Sequence, residues 1–292
     1  KNRRRPENMR CVKKIFHRKD AIFSATVVGR PPQEDHAITC YLQNLLKPCI
    51  KLMMPDVQDV WAFSEAGVHT LTGAVVKNRY PREALTTAFK IISQGQLALT
   101  KMLLVTDQPC DVKNIKELLP AILERSSVLY DLYVLSPSSQ DTLDETGPKL
   151  NEGSKIIWLG VGEKKRALPQ RAAEPPAELG IKNMSAFCPG VLVLDGPCYA
   201  SEKGLAQTIA HDPALKDWPL IFLVDDARFS TASTANFLWS VFTRFEPAAD
   251  VFAAQSTIDR NQISRTPPIV IDCRTKPWYP PPVESCLDDK KA

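Results

Sequence analysis

The sequence lacks any apolar run long enough to cross a membrane. A spanning helix needs about 20 apolar residues in succession, and the longest runs here, Pro219–Val224 and Gly190–Leu194, are strand-sized. It lacks a CxxC pair, so its eight cysteines (11, 40, 49, 110, 188, 198, 273 and 286) spell neither a zinc framework nor a redox motif. Its four histidines (17, 36, 69 and 211) fall at no ligand spacing such as HExxH. It lacks a strong charge of either sign: 37 basic against 33 acidic residues leave +4. That balance does not point to nucleic acid, whose binders carry a basic stripe. The one dense basic stretch, Lys1 and Arg3 to Arg5 with Lys13, Lys14 and Arg18, reads as a solvated end segment rather than a binding arm. The N-terminus is charged with no apolar core after it, so no signal peptide is expected there. Unpaired thiols in a cytoplasmic protein are the expected state of the cysteines.

What is present is an ordinary globular composition. The 292 residues are 44% hydrophobic and 24% charged, which predicts one large domain or two modest ones and excludes disorder and collagen-like repeats. Strand candidates are Cys11–Phe16, Ala21–Val28, Val57–Phe63, Thr70–Lys77, Met102–Thr106, Leu132–Leu135, Ile156–Gly160, Val191–Leu194, Leu220–Val224, Asp250–Ala254 and Ile269–Ile271. A helix is expected from Glu34, with Ile38, Leu42, Leu45 and Leu46 at helical spacing, ended by Pro48. Further helices are expected after Pro81, with Ala84, Leu85, Ala88, Phe89, Ile91 and Ile92 as the buried stripe, around Val112–Arg125 with an interruption at Pro120, from a Ser201 cap to Ala210, and from a Ser230 cap to Phe245. Glu163–Pro176 reads as a loop, and the Pro-rich tail from Lys276 to Ala292 as a segment lying extended over a surface. Short apolar strands alternating with amphipathic helices predict an α/β fold: three layers, α/β/α, around a mostly parallel sheet. No internal repeat is visible. The break at Pro48 suggests that residues 1–48 form a unit separate from 49–292.

Several residues invite a chemical reading. Asp107 and the Asp225-Asp226 pair follow apolar strands, at the edge where open α/β sheets bind ligands. They can hold Mg²⁺ or simply tie down the following loops; without a phosphate loop beside them, the second reading is preferred. Gly160-Val161-Gly162 begins a dinucleotide fingerprint but lacks its third glycine, so a surface turn is preferred. Ser230 to Thr234 lacks the GxSxG frame of a hydrolase. His36 falls in the first turn of a helix, and a structural or solvated role outweighs catalysis. Lys77 ends an apolar strand just before a helix and can meet a phosphate as a point charge, or stand solvated.

Three stretches resemble the UbiD family of decarboxylases: His17–Phe23 continuing into Thr26–Asp35, Phe237–Trp239 with Phe242–Asp250, and Pro267–Asp272 with Lys276–Pro280. Lys77-Asn78-Arg79-Tyr80-Pro81 is similar to a family turn. The resemblance runs from about His17 nearly to the end, and the length between Leu143 and Tyr199 resembles a longer branch of the family. It implies a non-oxidative, reversible decarboxylase (a carboxy-lyase) of aromatic or α,β-unsaturated acids that uses prenylated FMN, with a divalent metal (Mn²⁺ or Mg²⁺) and often K⁺. The cofactor carries the hard chemistry and the protein positions it.

The family's Glu–Arg–Glu catalytic set and its Asn/His/Glu metal ligands lie upstream of the His17–Asp20 motif, and no residue here matches them. The resemblance therefore implies a C-terminal portion: the end of a flavin-binding split β-barrel with a linker helix over 1–48, then an α/β domain over 49–292. The opening at Lys1 rather than Met fits a piece of a longer protein. By resemblance Lys77 is the candidate for the flavin phosphate. Thr39, the 255–266 loop and Arg30 border the substrate pocket, and no catalytic or metal-ligating residue lies in this segment. The expected partners are a small carboxylic acid, the N-terminal half of the same protein and further copies of the chain. Two rival readings stand: an oligomerisation and domain-closure module without chemistry, and an independent α/β ligand-binding protein using the Asp107 and Asp225 edge.

Overall fold

The computed structural model describes residues 13–22 and 34–280. Residues 13–22 carry no strand, and the rest of the two strands expected before Gly29 lies outside the described residues, as does Arg30.

Two five-stranded sheets form the fold, where a single three-layer sheet was expected. The first holds β1 (Val57–Ala62), β2 (Leu71–Val76), β3 (Met102–Thr106), β4 (Leu132–Ser139) and β5 (Glu152–Gly160), in the order β1-β2-β3-β5-β4. The second holds β6 (Asn183–Cys188), β7 (Val191–Asp195), β8 (Leu220–Val224), β9 (Val251–Asp259) and β10 (Gln262–Asp272), in the order β6-β7-β8-β10-β9. In each sheet the three inner strands run parallel and both outer strands antiparallel, so the sheets are mixed. The inner strands β3, β7 and β8 are near-continuous apolar runs, and β5 and β10 carry such runs in their C-terminal parts, because both faces are covered there. β6 escaped the sequence reading because its alternation over Asn183–Ala186 and its apolar stretch Ala186–Cys188 are each too short to mark a strand.

The helices are α1 (Glu34–Met53), α2 (Glu83–Ile92), α3 (Ile115–Arg125), α4 (Val128–Asp131), α5 (Leu205–His211), α6 (Ala227–Thr231), α7 (Thr234–Phe242) and α8 (Pro247–Asp250). Pro48 does not end α1, and Pro120 does not interrupt α3. A proline removes one N–H and crowds the preceding turn, but contacts on both sides of Pro48 hold α1 against β1. Gln43 donates to Ala62 O (2.9 Å) and accepts from Ala62 N (2.6 Å), Lys47 pairs with Asp59 at 2.8 Å, and Ile50 packs into the core. Residue 48 thus lies within one continuous helix. Ser201 is not a cap; its hydroxyl donates to Cys198 O, and α5 starts after Gly204. Ser233, not Ser230, caps α7. Phe89 faces out, and α2 buries Ala84, Ala88 and Ile91.

One apolar core lies between the sheets. It joins Leu104 and Trp158 of the first sheet to Val193, Phe222 and Ile271 of the second through α3 and α7. The outer face of the first sheet packs on α2, and that of the second on α5.

The two sheets are also two copies of one plan, a repeat that the sequence does not display. Strand order and directions are the same in both. Asn114 caps α3 and Ser233 caps α7, each by a side-chain oxygen. Asp131 Oδ2 accepts from Ser127 N at the start of α4, and Asp250 Oδ2 from Glu246 N at the start of α8, both at 2.7 Å. Asp107 after β3 accepts from Gly162 N after β5, as Asp225 after β8 accepts from Thr275 N after β10. The copies also cross-pack reciprocally: α4 lies on β10, and α8 on β5.

Candidate functional site

A cleft of about 570 Å³ opens where α1, the β1–β2 turn, the β4–β5 loop and the C-terminal end of α7 meet. Thr39 comes to it from α1, His69 and Thr70 from the turn, Asp141 from the loop, Trp239 from α7 and Arg244 from just past the end of α7. A second cleft, of about 1090 Å³, adjoins it and shares Glu145, Thr146, Tyr279 and Pro280.

The polar groups of the cleft are mostly spoken for. Arg244 lies 2.8 Å from Asp225 and stacks over Trp239 at 4.7 Å. Lys276 reaches Asp250 at 3.0 Å and donates to Arg244 O, to which Tyr279 Oη also donates. The second and third family-like stretches therefore interlock here, although many residues separate them in the chain. Burial lowers His69, against the opposing pull of Asp141 3.9 Å away, so its ring is neutral at pH 7. The arrangement can bind and wall a ligand. Among the described residues it shows no nucleophile with a base, and no group of three side chains placed to hold a metal ion.

Asp144 at the cleft pairs with Lys101 at 2.8 Å, and both are almost fully buried. Burial pushes the Asp144 carboxyl up, but Lys101 and the Thr146 donors outweigh it and hold the group below the usual carboxylate range. A depressed pKa contributes stability that is present above the unfolded value, about 3.9, and is lost as pH falls through the folded one. Asp250 runs the other way: burial raises it despite Lys276. Its contribution is present below the unfolded value and is lost as pH rises through the raised one. Urea titrations of the parent and Asp144→Asn isolate the first effect. The stability gap between the two proteins is expected to shrink below about pH 4; a gap that is constant with pH would refute the pairing.

The predicted site residues are not gathered in one place. Thr39 lies in the cleft beside Thr70, whereas Lys77 follows the far end of β2, about 20 Å along the strand. The Lys77 ammonium has no hydrogen-bond or ion-pair partner among the described residues, and the neighbouring Asn78 Oδ1 is buried without one. The Lys77 ammonium can meet a phosphate oxygen as a point charge; the Asn78 carbonyl oxygen, itself an acceptor, adds nothing to such a contact. The turn that follows is already satisfied, because the buried Glu83 carboxylate accepts from Arg79 N and binds its guanidinium. Asp107 and Asp225 tie loops down, as preferred, and Asp226 caps α6. Gly162 sits in a turn at φ +78°. His36 bonds to Ser64 Oγ at 2.6 Å and lies 3.4 Å from Glu65, outside the cleft. The 255–266 segment is the distal end of the β9–β10 hairpin, paired strand residues either side of a turn at Arg260–Asn261, not a loop. Sequence reasoning missed His69, Asp141 and Arg244, since each is brought to the cleft by a different element.

Comparison with known proteins finds relatives of this sequence. Residues 36–160 match the model of the 3-octaprenyl-4-hydroxybenzoate carboxy-lyase C-terminal domain, from α1 to the end of β5. A protein of Chlamydia trachomatis is 45% identical over 275 residues, which are 93% of this chain and 46% of that protein. A Chlamydia pneumoniae protein, named as one of the subunits of a 4-hydroxybenzoate decarboxylase, is 45% identical over 271 residues, again 93% of this chain and 46% of its own length. The chain thus spans about half the length of the curated relatives it matches. Among solved structures, the vanillic acid decarboxylase of Sedimentibacter hydroxybenzoicus in closed form aligns at 21% identity with a TM-score of 0.37, covering 45% of this chain and 28% of that one. Residues 36–160 thus match the C-terminal domain of the UbiD carboxy-lyases, and the chain is similar over most of its own length to these chlamydial proteins.

Proposed function

We propose that this chain is the C-terminal portion of a prenylated-FMN-dependent decarboxylase of aromatic or α,β-unsaturated acids, and that it acts with an N-terminal portion that carries the reacting groups. One observation carries the reading. α1 turns Gln43, Lys47 and Ile50 to the fold, but Ile38, Tyr41, Leu42, Leu45, Leu46, Leu52 and Met53 stand exposed along its other side. A continuous apolar stripe of this kind marks an interaction surface, and it borders the cleft that holds Thr39. The stripe expected from the sequence at Ile38, Leu42, Leu45 and Leu46 is therefore the docking side, not the core side. The relatives' additional length supports a partner for it, as does the naming of the Chlamydia pneumoniae protein as part of a larger enzyme.

When bound, prenylated FMN would supply the electron sink for loss of CO₂. This chain's residues would hold and enclose: Lys77 would meet a phosphate oxygen, Thr39 would wall the substrate pocket, and Arg30 would help position the carboxylate or a loop. The divalent metal and K⁺ take their main ligands from the upstream portion. The unit boundary near residue 48, with a barrel end before it, belongs to the same proposal, as do self-association and a cytoplasmic location.

The test is the protein at the full length of its relatives, with both halves present. A flavin absorbance band and CO₂ release from an aryl or enoic acid are expected, whereas a colourless, inert full-length protein would overturn the reading. In that protein Lys77→Ala is expected to lower cofactor occupancy about tenfold, the effect of losing a charge-assisted bond worth about 1.5 kcal/mol. Unchanged occupancy by absorbance would remove the phosphate role.

A further inference from the structure

Four strands end the two sheets, and three of them carry a device that discourages further pairing. Gln43 of α1 bonds both backbone groups of Ala62 at the edge of β1. β4 contains Pro137, which has no N–H to offer. β6 is broken by a bulge between Ala186 and Cys188. Covers, prolines and bulges keep edge strands from adding to another chain. β9 has none of them over Val251 to Ile258, which contains no charged residue, proline or glycine; the bulge in its hairpin belongs to β10. No described strand lies beyond β9.

β8 pairs with β10 only from Ile269 to Asp272, so Gln255–Asp259 and Gln262–Thr266 run past the sheet as a two-stranded ribbon. Such a ribbon is marginal in water by itself. One face of it meets α4, where Gln262 Nε2 donates to Leu132 O at 3.3 Å. On the other face Ile258 (78% exposed) and its cross-strand neighbour Ile263 (46%) stand in solvent. The backbone directions follow from the pairing. Ile269 N donates to Pro219 O on the β8 side, so Ala253 opposite it turns its N–H and C=O away from β10. Gln207 of α5 donates to that Ala253 O at 3.4 Å, as this direction requires. At every second residue from there, Gln255, Thr257 and Asp259 aim their backbone groups at the open edge, and Gln255 to Asp259 are all exposed.

We propose that Gln255–Asp259 of β9 pairs antiparallel with the same segment of a second copy of this chain, across a two-fold axis at Thr257, so that the two second sheets become one. A strand antiparallel to itself is two-fold by construction, and two-fold contacts are the commonest among homo-oligomers. In this register Thr257 exchanges backbone hydrogen bonds with the partner's Thr257, and Gln255 with the partner's Asp259, which uses every outward group of the segment. The side chains agree. Threonine faces threonine, and the Gln255 amide, a donor, lies beside the Asp259 carboxylate, an acceptor. Ile258 lies against the partner's Ser256 and diagonally to the partner's Ile258, which takes apolar surface of both out of water. The pairing also stops where it must: each strand turns at Arg260–Asn261 before it meets the Ala253 O that Gln207 occupies. This inference goes beyond the decarboxylase reading, since none of these residues lines either cleft and no substrate or cofactor enters it.

Sedimentation equilibrium of the 292-residue chain tests it. Leu42→Glu and Leu45→Glu, at exposed positions, are built into every protein compared, so that the stripe of α1 cannot supply the contact. A monomer–dimer equilibrium is expected. Ile258→Lys puts a charge on the pairing edge at an exposed position and should weaken the dimer about tenfold or more. Thr257→Pro should do the same, because the N–H it removes points outward and serves no bond within the hairpin. If circular dichroism shows that the proline has unfolded the chain, Ile258→Lys alone decides. A chain that stays monomeric at every concentration reached overturns the pairing, and so does a dimer that Ile258→Lys leaves unchanged. Neither result touches the decarboxylase reading, which stands or falls on flavin absorbance and CO₂ release.

Discussion

Arg274→Ala is expected to cost about 3–5 kcal/mol of folding stability, the range for removing one partner of a buried ion pair. Arg274 is fully buried, and its guanidinium grips both carboxylate oxygens of Asp272 (3.0 and 2.7 Å) while Nη1 donates to Pro197 O and Glu202 O. Alanine strands a carboxylate that is itself 1% exposed and leaves two carbonyls short of a donor. Urea unfolding of the 292-residue chain measures the loss. The pair Asp272→Leu with Arg274→Met should recover much of it, because an apolar pair carries no stranded charge. A single-variant loss below about 1 kcal/mol, the worth of an exposed pair, would contradict the burial.

Gly160→Val comes next in size, at about 3 kcal/mol, the upper end for overpacking. A Cβ on Gly160 would overlap the backbone of Ile122 in α3, and a helix backbone cannot step aside as a side chain can. Trp158, two residues away, donates Nε1 to Ser126 Oγ at 2.7 Å and so reports on this contact by its fluorescence. Gly162 provides the contrast. Its φ is +78° and nothing lies within 4 Å of where a Cβ would stand, so Gly162→Ala should cost only the left-handed penalty, about 1–2 kcal/mol. If the two alanine variants, Gly160→Ala and Gly162→Ala, lost stability in the reverse order, the close approach of α3 to β5 would be wrong.

The glycine reading shows what periodicity conveys and what it omits. The Gly160-Val161-Gly162 pattern was legible as a turn, and Gly162 makes one. That Gly160 exists to admit a helix was not legible, because the helix arrives from elsewhere in the chain. α1 makes the same point more sharply. Its apolar stripe was plain in the sequence, but spacing cannot tell a stripe that faces the core from one that faces a partner. Gln43, polar and unremarked, turned out to be the residue that fixes the inward face.

The sequence by itself determined the class of fold, the inner strands and the family resemblance. Unbroken apolar runs leave a strand no option but burial on both faces, and long motifs need no folding to be recognised. Tertiary structure decided that there are two sheets rather than one, that the two repeat a single plan, and that Thr39, His69, Asp141 and Arg244 share a cleft while Lys77 does not. Those outcomes rest on contacts between residues far apart in the chain, and on backbone hydrogen bonds that many different side chains can frame equally well.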